Sequence, residues 1–200
     1  MPDFVRLMKT IVWDVDDVLN DLTKEWFERE WLLNHPDCTI TYTQLKSNPP
    51  NDLLDIGIKE YHRSLDHYRL LYGPKMDPIK DVYSWFNEYG QKYRHIVLTS
   101  TPYFYAPYSS EWVLRNFGAW IRSFNFVPSQ REGSDIFNYD KNKASFLKLF
   151  DKVDLYIDDS EKNISEATAA GINSILMPRP WNSNTLTIKE FMSNLIPNKL

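Results

Sequence analysis

Short apolar runs alternate with helical patterns along much of the chain. The runs are rich in β-branched and aromatic residues, which is typical of strands buried in a parallel sheet. They predict strands at residues 11–13, 95–98, 124–127, 155–157 and 175–177. Apolar positions at helical spacing predict helices at residues 80–89, 110–116, 143–150 and 161–170. The alternation predicts an α/β fold with a doubly wound parallel sheet.

Three glycines follow predicted helices. Gly90, Gly118 and Gly171 each come directly after, or within two residues of, the end of a helical pattern. Glycine at this place commonly adopts the left-handed conformation that ends a helix. We therefore expect a left-handed cap at all three.

The stretch between the first two predicted strands is far longer than the roughly 30 residues that one strand–helix–strand unit needs. The surplus residues show helical patterns at 23–33 and 59–71, separated by a break at 48–51. A helical insertion after the first strand would lie over the crevice where doubly wound proteins bind ligands. The sequence therefore predicts a core formed by residues 1–19 and 77–200, and a small helical cap formed by residues 20–76.

Composition and charge exclude several classes of protein. The chain has 200 residues, of which 42% are hydrophobic and 25% charged, as in an average globular protein. The single cysteine, Cys38, rules out an intramolecular disulfide framework. Its 23 basic and 27 acidic residues give a net charge of −4, which argues against binding of a nucleic acid polymer. No window approaches the roughly 20 apolar residues of a membrane span, so we expect a soluble, cytoplasmic protein without membrane contact.

Acidic residues follow two of the predicted strands. Asp14 and Asp16 come directly after the first strand, where strand periodicity places them on one side. Taken alone, this pair is equally well explained as a strand end with a turn or a helix N-cap. Asp158 and Asp159 follow the fourth strand, however, and the carboxyl ends of parallel strands meet at one edge of a sheet. Such a cluster of oxygen ligands predicts a Mg²⁺ site.

Other polar residues are predicted to lie at the same edge. Thr99 and Ser100 end another strand and supply hydroxyl groups, and Lys143 can supply positive charge. A nucleophilic carboxylate, an acid–base carboxylate, a metal ion, a hydroxyl and a lysine together are typical of phosphoryl transfer.

The ordered set of these residues resembles the four motifs of the haloacid dehalogenase superfamily of phosphohydrolases, whose core is a Rossmann-like sheet. The set comprises Asp14 and Asp16, Thr99, Lys143, and Asp158 with Asp159. Within the superfamily, the sequence is most similar to the 5'(3')-deoxyribonucleotidases. Three stretches carry this likeness: residues 14–21, residues 99–100 with 112–118, and residues 180–182.

The resemblance implies roles for the acidic residues. Asp14 would attack phosphorus and form an aspartyl-phosphate, and Asp16 would act as the general acid and base. Asp14, the main-chain carbonyl of Asp16 and Asp159 would hold Mg²⁺, supported by Asp158 and Asn163.

It also implies a phosphate-binding group. Thr99, Ser100 and Lys143 would bind the phosphoryl oxygens of the substrate. Lys141 is the alternative for the lysine. The sequence departs from the nucleotidase pattern in having Asp17 where these enzymes usually have glycine, and Leu22 where they have a base-stacking aromatic residue.

The sequence thus predicts a Mg²⁺-dependent phosphomonoester hydrolase. The implied substrate is a small phosphomonoester, namely a (deoxy)nucleoside monophosphate, whose base would stack on a cap aromatic such as Trp26, Trp31, Tyr68 or Tyr72. The alternatives are a phosphatase of the same superfamily for another small phosphoester, such as a sugar phosphate, and a non-catalytic binding module with this fold. A homodimer is compatible with the sequence, which does not decide the oligomeric state.

Overall fold

Five parallel strands form the central sheet of the protein. The computed structural model describes residues 8–131, 136–137 and 139–195. In the described part of the chain, the strands are arranged in the order β3-β2-β1-β4-β5. They are β1 (Thr10–Trp13), β2 (Arg94–Thr99), β3 (Ile121–Phe126), β4 (Leu155–Asp158) and β5 (Ser174–Leu176). The predicted α/β class and doubly wound parallel sheet are confirmed.

The helices flank the sheet and fill the insertion after β1. The α-helices of the described residues are α1 (Leu22–Trp26), α2 (Leu32–Asn34), α3 (Ile58–Tyr72), α4 (Lys80–Tyr89), α5 (Ala106–Phe117), α6 (Lys143–Leu147), α7 (Glu161–Ala169) and α8 (Ile188–Asn194). A π-helical turn, Phe27–Trp31, joins α1 to α2. α5 begins earlier than predicted because Pro107 lies in its first turn, where proline is tolerated. No helix in these described ranges is long and apolar enough to cross a membrane.

β1 lies at the centre of the sheet and is buried along its whole length. It pairs with β2 on one side and with β4 on the other. Because side chains alternate along a strand, Ile11 and Trp13 enter the core against α4 and α5, while Val12 packs on the opposite face. The continuous apolar run of β1 therefore reflects burial on both faces.

The three glycines after helices differ from one another. Gly171 has a φ of +82°, so the predicted left-handed cap is confirmed there. Gly90 and Gly118 instead have right-handed backbone conformations, and the prediction is wrong at both. A Cβ atom at Gly90 would lie 2.6 Å from the indole ring of Trp120, and one at Gly118 would overlap the carbonyl oxygen of Leu114. These two glycines permit close packing.

The insertion after β1 has an apolar core of its own, which is consistent with a cap. Its buried members are Leu22, Trp26, Phe27, Trp31, Leu45, Leu54, Tyr61, Leu65, Tyr68 and Met76. Trp181, from the loop after β5, packs against this cluster. The limits of the cap at residues 20 and 76 remain a prediction, and the ends of the predicted core, residues 1–7 and 196–200, lie outside the described residues.

Candidate active site

The strand order brings three polar strand ends together. From β1 the chain proceeds outward to β2 and β3 on one side, and it then crosses from β3 to β4 and β5 on the other side of β1. At such a switch point, a crevice forms outside the carboxyl ends of the strands. Asp14 directly follows β1, Thr99 ends β2, and Asp158 ends β4. The predicted convergence of these residues at one edge of the sheet is therefore observed.

A tight turn after β1 places the acidic residues that follow Asp14. The carbonyl oxygen of Val15 accepts hydrogen bonds from the main-chain N–H groups of Val18, Leu19 and Asn20. The side-chain oxygen of Asn20 accepts from the N–H groups of Asp17 and Leu22, at 3.2 and 3.1 Å. Asn20 thus fixes the path of the turn, a role that the sequence analysis did not assign to it.

Lys143 lies between two buried carboxylates. Its Nζ is 2.7 Å from Oδ2 of Asp14 and 2.7 Å from Oδ2 of Asp158. Burial alone would lower the pKa of Lys143, but the two carboxylates raise it above its ordinary value. Burial raises the pKa of Asp14 to about 7, against the opposing effect of Lys143. Asn142 caps α6, because its side-chain oxygen accepts from the N–H of Ser145, and so fixes where Lys143 begins that helix.

The carboxylate of Asp158 is fully engaged by protein donors. Besides Lys143, it accepts hydrogen bonds from the Tyr156 hydroxyl, the main-chain N–H of Ser160 at 2.8 Å and the side-chain amide of Asn163 at 3.1 Å. Burial would raise its pKa, but Lys143 and these hydrogen bonds lower it below the usual value. Asp158 is therefore a charged group held in place by its neighbours.

The carboxylate of Asp159 has far fewer hydrogen-bond donors around it than that of Asp158. It is 6% exposed, and its Oδ2 accepts one hydrogen bond, at 2.9 Å, from the indole N–H of Trp181. Asn182 fixes the same residue by donating to its main-chain oxygen at 2.9 Å. Burial, followed by the charges of Asp158, Asp17 and Asp14, raises the pKa of Asp159 well above its ordinary value.

The distribution of charge fits a cation. Asp14, Asp158 and Asp159 each offer a carboxylate oxygen, and these three oxygens lie within 4.8 Å of one another. One ammonium group cannot balance three buried acids there when all are ionised, which is why burial and mutual repulsion raise the pKa values of Asp14 and Asp159. A donor set made only of oxygen suits Mg²⁺. A divalent ion bound by Asp14 and Asp159 would stabilise the ionised form of both.

Asp16 points to the cap. Arg69 on α3 donates from Nη2 to Oδ2 of Asp16 at 2.9 Å, and Asn20 donates to the other oxygen at 3.2 Å. The side chain of Asp16 is not part of the three-carboxylate cluster. The sequence does not predict this role of Arg69, since nothing in the pattern of α3 distinguishes it from an ordinary helical arginine.

A cavity of about 130 Å³ connects the cluster with the cap. It is lined by Asp14, Asp16, Asp17, Leu22, Thr23, Asn48, Tyr61, Leu65, Arg69, Thr99, Ser100 and Asp159. Thr99 is buried and Ser100 is exposed. Lys141 is also exposed, whereas Lys143 is buried beside Asp14, so the geometry favours Lys143 over Lys141 as the site lysine.

The cap aromatics occupy positions that the sequence did not reveal. Trp26, Trp31 and Tyr68 are buried in the core of the cap, and Tyr72 is half exposed. None of these four is among the residues that line the cavity in the described part of the chain. The cap aromatic at the cavity is Tyr61, whose hydroxyl donates to the side-chain oxygen of Asn48 at 3.3 Å.

Comparison with solved structures identifies the fold. No family model matches the sequence, and no curated protein is similar to it. A hydrolase from Streptococcus pneumoniae TIGR4 shares 18% identity over 86% of this chain and 94% of its own, with a TM-score of 0.57. A haloacid dehalogenase-like family protein from Streptococcus pneumoniae shares 12% identity over 84% of both chains, with a TM-score of 0.56. The chain has the haloacid dehalogenase-like fold.

A third similar structure contains bound magnesium. A protein from Bacillus subtilis, whose structure is described as bound to magnesium and as revealing interdomain movement, shares 16% identity with this chain. The match covers 85% of this chain and 86% of that one, with a TM-score of 0.52. At these identities the likeness establishes the haloacid dehalogenase-like fold, and the chemistry has to be argued from the residues of this chain.

Asp17 occupies a backbone position that suits glycine. Its φ is +61°, in the left-handed region that aspartate tolerates better than most residues. Its carboxylate accepts from the N–H and the hydroxyl of Thr23, in the first turn of α1, where a negative charge is favourable. Arg179 donates from Nε to the carbonyl oxygen of Asp17 at 2.6 Å and from Nη1 to Asp21 at 2.6 Å. The carboxylate of Asp17 therefore ties the turn after β1 to α1, the first helix of the cap.

Proposed function

We propose that the protein is a Mg²⁺-dependent phosphatase that hydrolyses a small phosphomonoester. The observation that carries this proposal is the buried cluster of Asp14, Asp158 and Asp159, with Lys143 between two of its members, at the edge of the sheet in a haloacid dehalogenase-like fold. The cluster combines a fixed nucleophile with an oxygen-only cation site. These are the components of phosphoryl transfer through a covalent intermediate.

In this proposal, Asp14 is the nucleophile. Lys143 holds its Oδ2, and the main-chain N–H of Val15 donates to its Oδ1 at 2.7 Å, so the carboxylate is fixed in one orientation. An oxygen of Asp14 attacks phosphorus while the bond to the alcohol oxygen breaks, which leaves an aspartyl-phosphate. Asp16 gives a proton to the departing alcohol and then takes one from the water that hydrolyses the intermediate.

The remaining residues would bind the metal ion and the phosphoryl group, or hold the groups that do so in place. Asp14, the main-chain carbonyl of Asp16 and Asp159 would hold Mg²⁺, while Asp158 and Asn163 keep the surrounding groups in place. When bound, the ion offsets the negative charge of the carboxylates and of the phosphoryl group, which would otherwise repel each other. Thr99 and Ser100 line the cavity and would donate hydrogen bonds to phosphoryl oxygens, and Lys143 contributes positive charge.

The size of the cavity favours a small substrate. Its volume of about 130 Å³ lies below the roughly 300–1,000 Å³ of pockets that enclose drug-sized ligands. A phosphoryl group on a short alcohol therefore fits the observed geometry better than a nucleotide. A nucleoside monophosphate is the second candidate, favoured by the aromatic ring of Tyr61 at the cavity. It requires the cap to move outward. Interdomain movement is described for the Bacillus subtilis structure.

The test is a phosphate-release screen of the purified protein with Mg²⁺ and with excess chelator. The panel comprises p-nitrophenyl phosphate, glycerol phosphate, hexose phosphates and nucleoside monophosphates. We expect Mg²⁺-dependent release, fastest from the small esters. Release that is unchanged by chelator contradicts the metal assignment, and the absence of release from every ester supports a non-catalytic binding module. A preference for nucleotides above tenfold in kcat/KM favours the second candidate.

A further inference from the structure

Trp181 contacts both the carboxylate cluster and the cap. It lies in the loop after β5 and is half-buried. Its indole N–H donates to Oδ2 of Asp159 at 2.9 Å. The same side chain packs against the apolar cluster of the cap. One residue thus joins Asp159 to the insertion that follows β1.

The carboxylate of Asp159 depends on this indole for its orientation. Among the described residues, Trp181 is the only one that donates a hydrogen bond to it, and Oδ1 of Asp159 accepts none. A hydrogen bond to one oxygen of a carboxylate fixes the direction in which the other oxygen can bind a metal ion. Asp158, in contrast, is held by several donors at once. The loss of a single donor should therefore affect Asp159 far more than Asp158.

The ring of Trp181 and the backbone of its loop are held by different parts of the protein. Asn182 donates to the main-chain oxygens of Asp159 and Met177, at 2.9 and 2.8 Å, and so fixes the loop on the sheet. The ring instead meets the ring of Tyr42 edge-on, at an interplanar angle of 89° and a centroid distance of 6.2 Å. Tyr42 belongs to the insertion, and such edge-to-face pairs are favourable. The cap therefore sets the position of the indole.

We propose that Trp181 is a positioning residue that makes the Mg²⁺ affinity of the site depend on the contact between the cap and the core. This inference rests on the metal site of the proposed function. With the cap packed on Trp181, the indole N–H holds Oδ2 of Asp159 and leaves Oδ1 available to the ion. When the cap moves away, the indole loses its packing, and Asp159 loses its fixed orientation. Because such coupling is reciprocal, bound Mg²⁺ would favour the packed cap.

Calorimetric titration of the purified protein with Mg²⁺ tests the role of the indole N–H. Trp181→Phe keeps an aromatic ring against the cap and removes the donor. We expect its Kd for Mg²⁺ to rise by about tenfold to a hundredfold, as when an outer hydrogen bond to a metal ligand is lost. Trp85→Phe is the matched control. The indole of Trp85 donates to the main-chain oxygen of Leu195 at 3.0 Å, so the control loses an N–H donor on α4 and should keep the wild-type Kd.

A second substitution tests the role of the cap. Tyr42→Ala removes the edge-on contact with Trp181 and leaves the donor to Asp159 in place. We expect it to raise the Kd for Mg²⁺ in the otherwise wild-type chain. In the Trp181→Phe chain it should have no further effect, because the N–H group that the contact supports is already absent. Equal effects in the two chains would contradict the coupling to the cap.

The Mg²⁺ dependence of activity distinguishes positioning from a general loss of structure. In Trp181→Phe, the Mg²⁺ concentration for half-maximal release from p-nitrophenyl phosphate should rise, while kcat at saturating Mg²⁺ stays near the wild-type value. A structural defect would lower kcat at every Mg²⁺ concentration. Thermal unfolding without metal checks that each variant is folded, and Tyr42→Ala carries the test if Trp181→Phe does not fold.

The outcomes separate this inference from the proposed function. If the wild-type protein binds Mg²⁺ and Trp181→Phe binds it with the same Kd, the positioning role is contradicted while the metal site stands. If the wild-type protein itself binds no Mg²⁺, the metal site of the proposed function is contradicted, and the inference falls with it.

Discussion

The ammonium group of Lys143 lies 2.7 Å from Oδ2 of Asp14, in a contact between the first residue of α6 and the residue that follows β1. The side chains are only 2% and 9% exposed, so neither charge is solvated by water to any extent. Each charge therefore depends on the other. The pair couples the stability of the sheet edge to the chemistry proposed for it.

Replacement of Lys143 by methionine should destabilise the protein and abolish its activity. The change leaves Asp14 and Asp158 buried without their cation, and breaking a buried pair in this way costs about 3–5 kcal/mol. Urea denaturation measures the free energy of unfolding. Lys141→Met, at an exposed position two residues away, should change it little. A loss below about 1 kcal/mol in Lys143→Met would show that the ammonium group is not essential to the fold.

Asp14→Asn should lower turnover by several powers of ten and leave the fold intact. The amide cannot attack phosphorus, yet its oxygen can still accept the hydrogen bond from Val15, and Lys143 keeps its contact with Asp158. Release of phosphate from p-nitrophenyl phosphate measures the loss. Asp52→Asn, a change of the same kind at an exposed position, is the control. Activity within tenfold of the wild type would exclude Asp14 as the nucleophile.

Mg²⁺ should raise the melting temperature, and Asp159→Asn should abolish that response. The ion binds the folded state, in which the carboxylates are gathered, and so stabilises it. Because the pKa of Asp159 is raised in the folded state, the metal-free protein holds its proton more tightly than the unfolded chain does. The contribution of this proton to stability is therefore fully present below the ordinary pKa of aspartate and is lost as the pH rises through the raised pKa.

The pH dependence of stability and the response to Mg²⁺ together test whether Asp159 belongs to the metal site. In metal-free Asp159→Asn, the decline towards neutral pH should be weaker than in the wild type, since the asparagine cannot ionise. Melting curves from pH 5 to pH 8, with and without Mg²⁺, test both points. An undiminished rise of the melting temperature with Mg²⁺ in the variant would remove Asp159 from the metal site.

His95 should make stability sensitive to mild acid. Its Nδ1 accepts from the indole N–H of Trp13 at 3.0 Å and its Nε2 bonds the carbonyl oxygen of Gly90 at 2.8 Å, so the neutral ring is the form that fits. Burial lowers its pKa from 6.5 to about 4. The contribution is thus present above pH 6.5 and is lost as the pH falls towards 4, with about 3 kcal/mol as an upper bound.

The comparison of the wild type with His95→Gln isolates this contribution. Other acids titrate in the same range, but they are common to both proteins. Urea denaturation at several pH values between 4 and 7.5 should show a smaller loss of stability in the variant. Parallel curves for the two proteins would mean that His95 does not titrate in this way.

Short-range patterns account for the parts of the fold that the sequence predicted well. α4 has the predicted bounds, Lys80–Tyr89, because Val82, Trp85 and Phe86 recur at helical spacing on its buried face. β3 is displaced from the prediction and begins at Ile121, since its half-exposed residues give no continuous apolar run. Local patterns predict an element when burial is regular along it, and fail at edges where burial is uneven.

The sequence by itself determined the α/β class, the parallel sheet and the convergence of Asp14, Thr99 and Asp158, because apolar strands that end in polar residues follow from local spacing and from the geometry of parallel sheets. Only the tertiary structure decided that Lys143 pairs with Asp14, and that Tyr61 and Arg69 face the cavity while Trp26 is buried within the cap. The first of these relationships depends on how α6 packs against the sheet, and the others depend on how the cap folds and packs against the sheet. That packing joins residues far apart in the chain, for which no local pattern exists.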